Sequence, residues 1–221
     1  MIEPDFGKTI SEYLTRIDSE DDHVRSIGTY FPSELSYPCL RSLFLRYKYP
    51  DKQPSPDKLR IFRIGNLLHV FLQQALGTET NQFRLCGLEQ SVTYRINGIE
   101  LRGRVDAIIE LPDGEETVVE IKTCSPQTFN YPLPKPEHLA QTMFYLNRLH
   151  LKKAFIVYVE KNRLEIQVYP VEYDDVIFKE MIGRTRALHK ALKEDVIPDQ
   201  EANHWGGKIC QYCDFKEECK T

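Results

Sequence analysis

"VDAIIELPDGEETVVEIKT", residues 105–123, is the stretch on which the reading of this chain turns. Two apolar runs, Val105–Leu111 and Val118–Ile121, flank Pro112-Asp113-Gly114-Glu115. Pro presets φ for a turn and Gly supplies the positive φ that closes it. The spacing predicts a hairpin with strands at 99–111 and 117–123. Val118, Val119 and Ile121 are apolar at consecutive positions, as in a strand buried on both faces. Asp106, Glu120 and Lys122 therefore stand out, because ionised groups in such strands are costly unless something compensates them.

Alternation along a strand puts Glu120 and Lys122 on one face, and Asp106 approaches them across the hairpin. Adjacent carboxylates repel each other and resist burial. A hard divalent cation removes both objections, since carboxylate oxygens are its preferred ligands. A lysine beside it can orient the attacking water or stabilise charge building on a phosphate. The arrangement suits metal-dependent phosphodiester hydrolysis. Asp…Glu-x-Lys is nevertheless a short pattern, and a solvated sheet face with Lys122 paired to the two acids explains it equally at this point.

Working outward, Asn97-Gly98 predicts a hairpin between strands 88–96 and 99–111. A short helix is expected at 9–17. "SYPCLRSLFLRYKYP" reads as a helix capped by Ser36, with Pro38 in its first turn. "DKLRIFRIGNLLHVFLQQALG" reads as a helix capped by Asp57 and ended by Gly77, with Ile61, Ile64, Leu68 and Ala75 on its apolar face. "PEHLAQTMFYLNRL" is a third helix with Leu139, Met143 and Leu146 as its buried stripe, and Gln141 and Tyr145 share its other face. Strands at 153–160 and 163–170 and a helix at 174–194 complete the order. The fold class is α/β (α+β), with a mixed central sheet flanked by helices.

The chain has 221 residues, 41% hydrophobic and 28% charged, with a net charge of -4. That is enough for one domain with a proper core. The charge excludes a wholesale basic coat for nucleic acid but not a local basic groove. No apolar run approaches the ~20 residues that cross a bilayer, and "MIEPDFGKTI" has no signal-peptide pattern. A cytoplasmic protein without membrane association is expected. In a reducing compartment its six cysteines are better read as metal ligands or plain thiols than as disulfides.

"GRVDAII", "VVEIKT" and "QTMFYLNRL", preceded by "GNLLHVFLQ", resemble the core motifs of the PD-(D/E)xK nuclease superfamily in its RecB-like branch. The resemblance runs from about residue 29 to the C-terminus. It implies a restriction-endonuclease-like core. It implies that His69, Asp106, Glu120 and the backbone carbonyl of Ile121 bind Mn²⁺ or Mg²⁺, that Lys122 serves the water, and that Gln141 and Tyr145 position Lys122 or the DNA. An imidazole ligand tilts the preference toward Mn²⁺.

"CQYCDFKEEC" places Cys210, Cys213 and Cys219 at the end of the chain, and Cys39 lies far upstream. Four such thiolates can hold zinc or an iron–sulfur cluster, clipping the two ends of the domain together. A zinc ribbon usually shows two Cys-x-x-Cys pairs, and this chain has one. The one-plus-three layout resembles the iron–sulfur nucleases of the RecB-like branch, which include the Cas-four family of CRISPR-associated exonucleases and the AddB-type enzymes. That resemblance implies a 4Fe-4S cluster on Cys39, Cys210, Cys213 and Cys219. It also implies cleavage of single-stranded DNA from 5′ ends, in the trimming or selection of fragments for CRISPR spacer acquisition with integrase proteins as partners. A stand-alone recombination, repair or viral exonuclease would carry the same motifs. A non-catalytic nucleic-acid-binding module with a zinc clip is the reading of another class. Cys86 and Cys124 read as small apolar residues.

The expected organisation is an N-terminal segment, 1–28, and one nuclease domain, 29–221, in which Cys39 and the tail 205–221 form the cluster module. Arg41, Arg46, Lys48, Lys58, Arg60 and Arg63, interleaved with Phe44, Tyr47 and Tyr49, suggest a lane for single-stranded nucleic acid, with Phe129 and Tyr131 as further stacking candidates. Core packing and solvated charge are the competing explanation. Arg184, Arg186, His189, Lys190 and Lys193 are expected to be solvated, and the acidic run 18–22 to be unstructured or to touch a partner.

Overall fold

The computed structural model describes residues 5–20, 25–52, 54–78, 82–131, 133–201 and 208–220. Part of the acidic run 18–22 and of the tail 205–221 lies outside the described residues. Helix α1 (Phe6–Glu20), strand β1 (Thr29–Tyr30) and helices α2 (Pro32–Leu35), α3 (Leu40–Lys48) and α4 (Pro56–Leu76) precede a meander of β2 (Arg84–Ile96), β3 (Ile99–Glu110) and β4 (Glu116–Cys124). Helices α5 (Pro126–Phe129) and α6 (Pro136–Leu149) lead to β5 (Lys153–Glu160), β6 (Ile166–Glu172) and α7 (Asp175–Glu194). The tail carries α8 (Lys208–Gln211) and a 3₁₀ turn, Glu218–Lys220.

The two turns of the meander form as their residues dictate. Asn97 and Gly98 both take positive φ, 48° and 78°, which a two-residue primed turn requires. Gly114 takes φ 84° in the second turn, and the Asp113 carboxylate accepts the Glu115 N–H at 3.0 Å. The resulting sheet is six-stranded in the order β1-β3-β4-β5-β6, with β2 along β3. β2 pairs with β3 along its length, with an irregularity between Leu85 and Gly87. The other edge of β3 is shared: β1 takes Glu100 and Leu101, and β4 takes Ala107–Glu110. Among the described residues no strand pairs with 102–106 on that side, and the candidate site forms in this gap. β4 and β5 are parallel, so the chain must cross over between them, and α6 makes that crossing.

β4 divides the core. Val118 belongs to the larger cluster, with Tyr30, Leu101, Phe144, Leu146 and Leu188. Val119 and Ile121 pack on the other face against Leu72 and Leu76 of α4. Glu120 and Lys122, two and four residues after Val118, therefore lie on the face covered by α6.

Several expectations are corrected. Ser55, not Asp57, caps α4, accepting the Lys58 N–H at 3.4 Å with Pro56 in the first turn. Asp57 instead pairs with Arg60. Ser36 ends α2 rather than starting the next helix, and α3 begins after Cys39. The residue before a proline is pushed out of the α region, which breaks the chain at Tyr37-Pro38. Ile61 and Ile64 of the predicted α4 face are 54% and 48% exposed, and Ala75 is exposed too. α4 is apolar nearly all round, so counting apolar positions could not select the face that packs. On α6 the polar pair is as buried as the apolar stripe, Gln141 at 6% and Tyr145 at 2% beside Met143 at 1%. Arg184 is tied down by Glu201 and by the carbonyls of Leu35 and Tyr37, and the His189 imidazole bonds the Tyr30 hydroxyl; neither is a free solvated charge.

Candidate active site and thiol cavity

The β3–β4 ladder stops at Ala107↔Val119. One step further, the Ile121 N–H is bound by a side chain: it donates to Asp106 Oδ2 at 2.7 Å. His69 of α4 comes from the other face of the sheet. Its Nδ1 lies 3.7 Å from Asp106 Oδ1, and the Ile121 backbone lies beside its ring. The predicted set of His69, Asp106, Glu120 and the Ile121 carbonyl thus meets where β3 and β4 part.

Glu120 is 1% exposed. Its Oε1 accepts from Lys122 Nζ at 2.6 Å, while Oε2 is buried with no hydrogen-bond partner among the described residues. An orphaned, buried carboxylate oxygen is costly. Burial, and then repulsion from Asp106, pushes the Glu120 carboxyl well above the usual carboxylate range. Burial also raises Asp106, against the pull of Lys122 and the Ile121 N–H. Burial and the Lys122 charge lower His69, which holds the imidazole in its neutral, ligating form.

The donor set fits a divalent cation. It offers two carboxylates that resist charging without one, a neutral imidazole, a carbonyl, and an oxygen with nothing to bind. Among the described residues no three His, Cys, Asp or Glu side chains, at this centre or among the thiols, are grouped closely enough to hold a metal ion by themselves. Mg²⁺ is held by one or two carboxylates and keeps several waters, so a closed cage is not required.

Lys122 is fixed by α6. Its Nζ donates to Gln141 Oε1 at 2.9 Å, and Gln141 Nε2 donates to the Tyr145 hydroxyl at 2.9 Å. The Arg104 backbone lies beside that hydroxyl. Gly103 makes this possible: a Cβ there would stand 2.6 Å from Tyr145 Cε1. Gly103 stands in the quoted "GRVDAII", yet nothing in the sequence singles it out. Glu89 was also missed. Its φ is 51°, the β2–β3 register sets it across from Asp106, and its charge acts on both Asp106 and His69. It is held by Gln73 and Arg104.

The four predicted thiols line one cavity of about 170 Å³ with Ser42, Leu45, Gln200 and Ile209. Polar groups reach the sulfurs: Gln200 Nε2 donates to Cys219 Sγ at 3.2 Å, and Ser42 Oγ lies 3.5 Å from Cys213 Sγ. Burial and the thiols of Cys219, Cys39 and Cys213 raise the pKa of Cys210, so thiolates gathered here call for a cationic partner. The donor set fits a cluster or zinc. Cys124 is buried as expected, whereas Cys86 is exposed on an irregular part of β2.

The basic lane does not survive as drawn. Phe44, Tyr47 and Phe129 are core residues. Arg41 is bonded to the Pro198 and Cys219 carbonyls, and Arg46, Lys48 and Lys58 pair with Glu34, Asp195 and Asp214. Tyr49 and Tyr131 remain exposed, at 49% and 67%. No helix among the described residues is long and apolar enough to cross a membrane.

Residues 63–220 match the model of the PD-(D/E)XK nuclease superfamily. The chain belongs to this superfamily. It is a nuclease, and so a hydrolase. It is 25% identical over 212 residues to the CRISPR-associated exonuclease Cas4 of Saccharolobus solfataricus, covering 95% of this chain and 97% of that one. Its fold is shared with the crystal structure of SSO0001, at TM-score 0.64 and 23% identity over 96% of each chain. It is also shared with the alkaline exonuclease LHK-Exo of Laribacter hongkongensis, at TM-score 0.54 and 15% identity over 84% of this chain and 94% of that one.

Proposed function

We propose that this nuclease is a metal-dependent exonuclease acting on single-stranded DNA, with 5′ to 3′ polarity, in the trimming or selection of fragments for CRISPR spacer acquisition. The observation that carries the hydrolytic part is the buried, unpartnered Glu120 Oε2 beside Asp106, with Lys122 held in place by Gln141. Similarity to Cas4 along nearly the whole of both chains supports the biological part. Integrase proteins are the proposed partners and the cytoplasm the proposed compartment.

Asp106, Glu120, His69 and the Ile121 carbonyl would hold Mn²⁺ or Mg²⁺. Such an ion lowers the pKa of water and neutralises charge on the scissile phosphate. The protein supplies the positioning. Tyr145 fixes Gln141, Gln141 fixes Lys122, and the Lys122 ammonium orients the water or meets the charge that develops on the phosphate. Cys39, Cys210, Cys213 and Cys219 would hold a 4Fe-4S cluster that ties α3 to the tail, within one nuclease domain spanning 29–221.

The test is cleavage of single-stranded DNA labelled separately at each end, with Mn²⁺ or with EDTA, beside Lys122→Ala. Mn²⁺-dependent shortening that Lys122→Ala loses is the expected result, and the label lost first gives the polarity. A protein that retains its iron yet cuts neither substrate would overturn the reading in favour of a binding module.

A further inference from the structure

His138 lies one turn before Gln141 on α6, so the two share the face that reaches Lys122. Its Nδ1 is 2.6 Å from the Tyr158 hydroxyl. That hydroxyl already accepts the Lys135 N–H at 3.0 Å. Burial raises the Tyr158 pKa, so the hydroxyl keeps its proton. The Nδ1 of His138 is the acceptor in reach of that proton. With the hydroxyl proton on this contact, the bond runs from Tyr158 to Nδ1, and a neutral imidazole then carries its own proton on Nε2.

The ring is neutral at any working pH. Burial, then Lys122, then Lys135, push its pKa down to about 3. Nε2–H has no partner among the described residues. The nuclease thus holds a donor of fixed tautomer near its catalytic lysine, on a half-buried ring and open to a ligand. A charged imidazole would add one more cation to Lys122 and Lys135. A neutral one donates a hydrogen bond and leaves that balance alone.

We propose that His138 Nε2–H donates to a non-bridging phosphate oxygen of the DNA strand at the Asp106/Glu120 centre, with Tyr158 as the residue that sets its tautomer. This rests on the nucleic-acid substrate proposed above. The contact is a substrate contact with no proton transfer, so it must be separable from both metal binding and the pH dependence of the chemistry.

The experiment compares wild type, His138→Leu, His138→Gln and Tyr158→Phe on end-labelled single-stranded DNA with one phosphate at a time replaced by a neutral methylphosphonate. His138→Leu is expected to lose roughly ten- to hundred-fold in kcat/KM on the unmodified strand, the range for a hydrogen bond to a charged group. At one phosphate the methylphosphonate should cost wild type about as much while costing His138→Leu nothing further. His138→Gln should regain part of the loss, and Tyr158→Phe should lose a few-fold, since a free tautomer places the proton on the wrong nitrogen part of the time. Mn²⁺ affinity and the shape of the pH profile should be unchanged in all of them. Additive losses at every phosphate, or full activity in Tyr158→Phe, would overturn the inference; the latter applies even if His138→Leu does not fold. Wild type that cuts no DNA with Mn²⁺ would instead remove the substrate reading beneath it, and the inference with it.

Discussion

Glu120 is 1% exposed in the middle of a six-stranded sheet, laddered to β5 on one side and one step past the end of the β3–β4 ladder on the other. Cys210, Cys213 and Cys219 are half-buried on a tail with one short helix and a turn. The first centre is polar chemistry imposed on a frame that stands without it. The second is a set of thiols on a tail anchored by Phe215 in the core and by a few surface ion pairs. In the carboxylate centre the fold bears a cost for the sake of function, so removing its charges should spare stability and destroy activity. In the thiol cavity the bound group would itself supply the order, so removing a sulfur should first of all cost stability.

The largest effect expected from this contrast is on activity. Asp106→Asn, Glu120→Gln and Lys122→Ala should each lower cleavage by about a thousand-fold or more, because each removes a charge that the transition state needs. The melting temperatures of Asp106→Asn and Glu120→Gln should stay level or rise, while Lys122→Ala, which takes the partner from Glu120 Oε1, should melt somewhat lower but still fold. Cleavage that persists in all three would break the comparison at its first limb. So would collapse of the fold in all three.

Cys213→Ala is the counterpart. Binding energy at a structural metal site is folding energy. Loss of one ligand should release the iron and lower the melting temperature by about 5 °C or more, given roughly 2–4 °C per kcal/mol at this chain length. Iron content measured together with calorimetry decides the matter. Unchanged iron and an unchanged transition would show that the tail is ordered by its own contacts, such as Lys52–Glu218 and Lys58–Asp214.

A smaller effect sharpens the first limb. The folded-state pKa of Glu120 is raised above its ordinary 4.5, and that of Asp106 above 3.8. Between the ordinary and the raised values, the folded metal-free protein binds more protons than the unfolded chain, so its stability falls as pH rises through that window. A tenfold difference in proton affinity between the folded and unfolded chain is worth about 1.4 kcal/mol at its limit. The metal-free protein should therefore melt higher at pH 5 than at pH 8, Glu120→Gln should flatten that slope, and Mn²⁺ should restore stability most at pH 8. A slope that Glu120→Gln leaves untouched would place the titration elsewhere.

The parts of this architecture that local chemistry controls were legible in the sequence. Asn97-Gly98 and Pro112-Asp113-Gly114 set two turns, and the alternation around Glu120 and Lys122 set their common face. His69, Asp106, Glu120, Lys122, Gln141 and Tyr145 converge as the order of motifs implied. What failed depended on partners distant in sequence. α4 is apolar nearly all round, so its packing face is decided by where the sheet leaves room. Phe44 and Tyr47 look like a stacking platform until the core closes over them. His138 becomes notable only because Tyr158, on another element, fixes its tautomer. Glu89 is one more acid in an exposed-looking strand until the register sets it against Asp106.

Gly103 shows how fine that tertiary control is, and it carries the last prediction. Its missing Cβ is what lets the Tyr145 ring lie on β3, where the hydroxyl meets Gln141. Gly103→Ala puts a methyl group 2.6 Å from Tyr145 Cε1 and 3.2 Å from Phe144 Cε1. Overpacking of this kind costs about 1–3 kcal/mol. The displaced ring loosens Gln141 and so Lys122, for an expected loss of about ten-fold in kcat from a catalytic group slightly out of place. If the path runs through Tyr145, adding Gly103→Ala to Tyr145→Ala should cost little more than Tyr145→Ala alone, because the methyl then fills the space the ring has left. If the two losses add in full, Gly103 acts on β3 itself, and the chain from Tyr145 through Gln141 to Lys122 is not what its missing side chain protects.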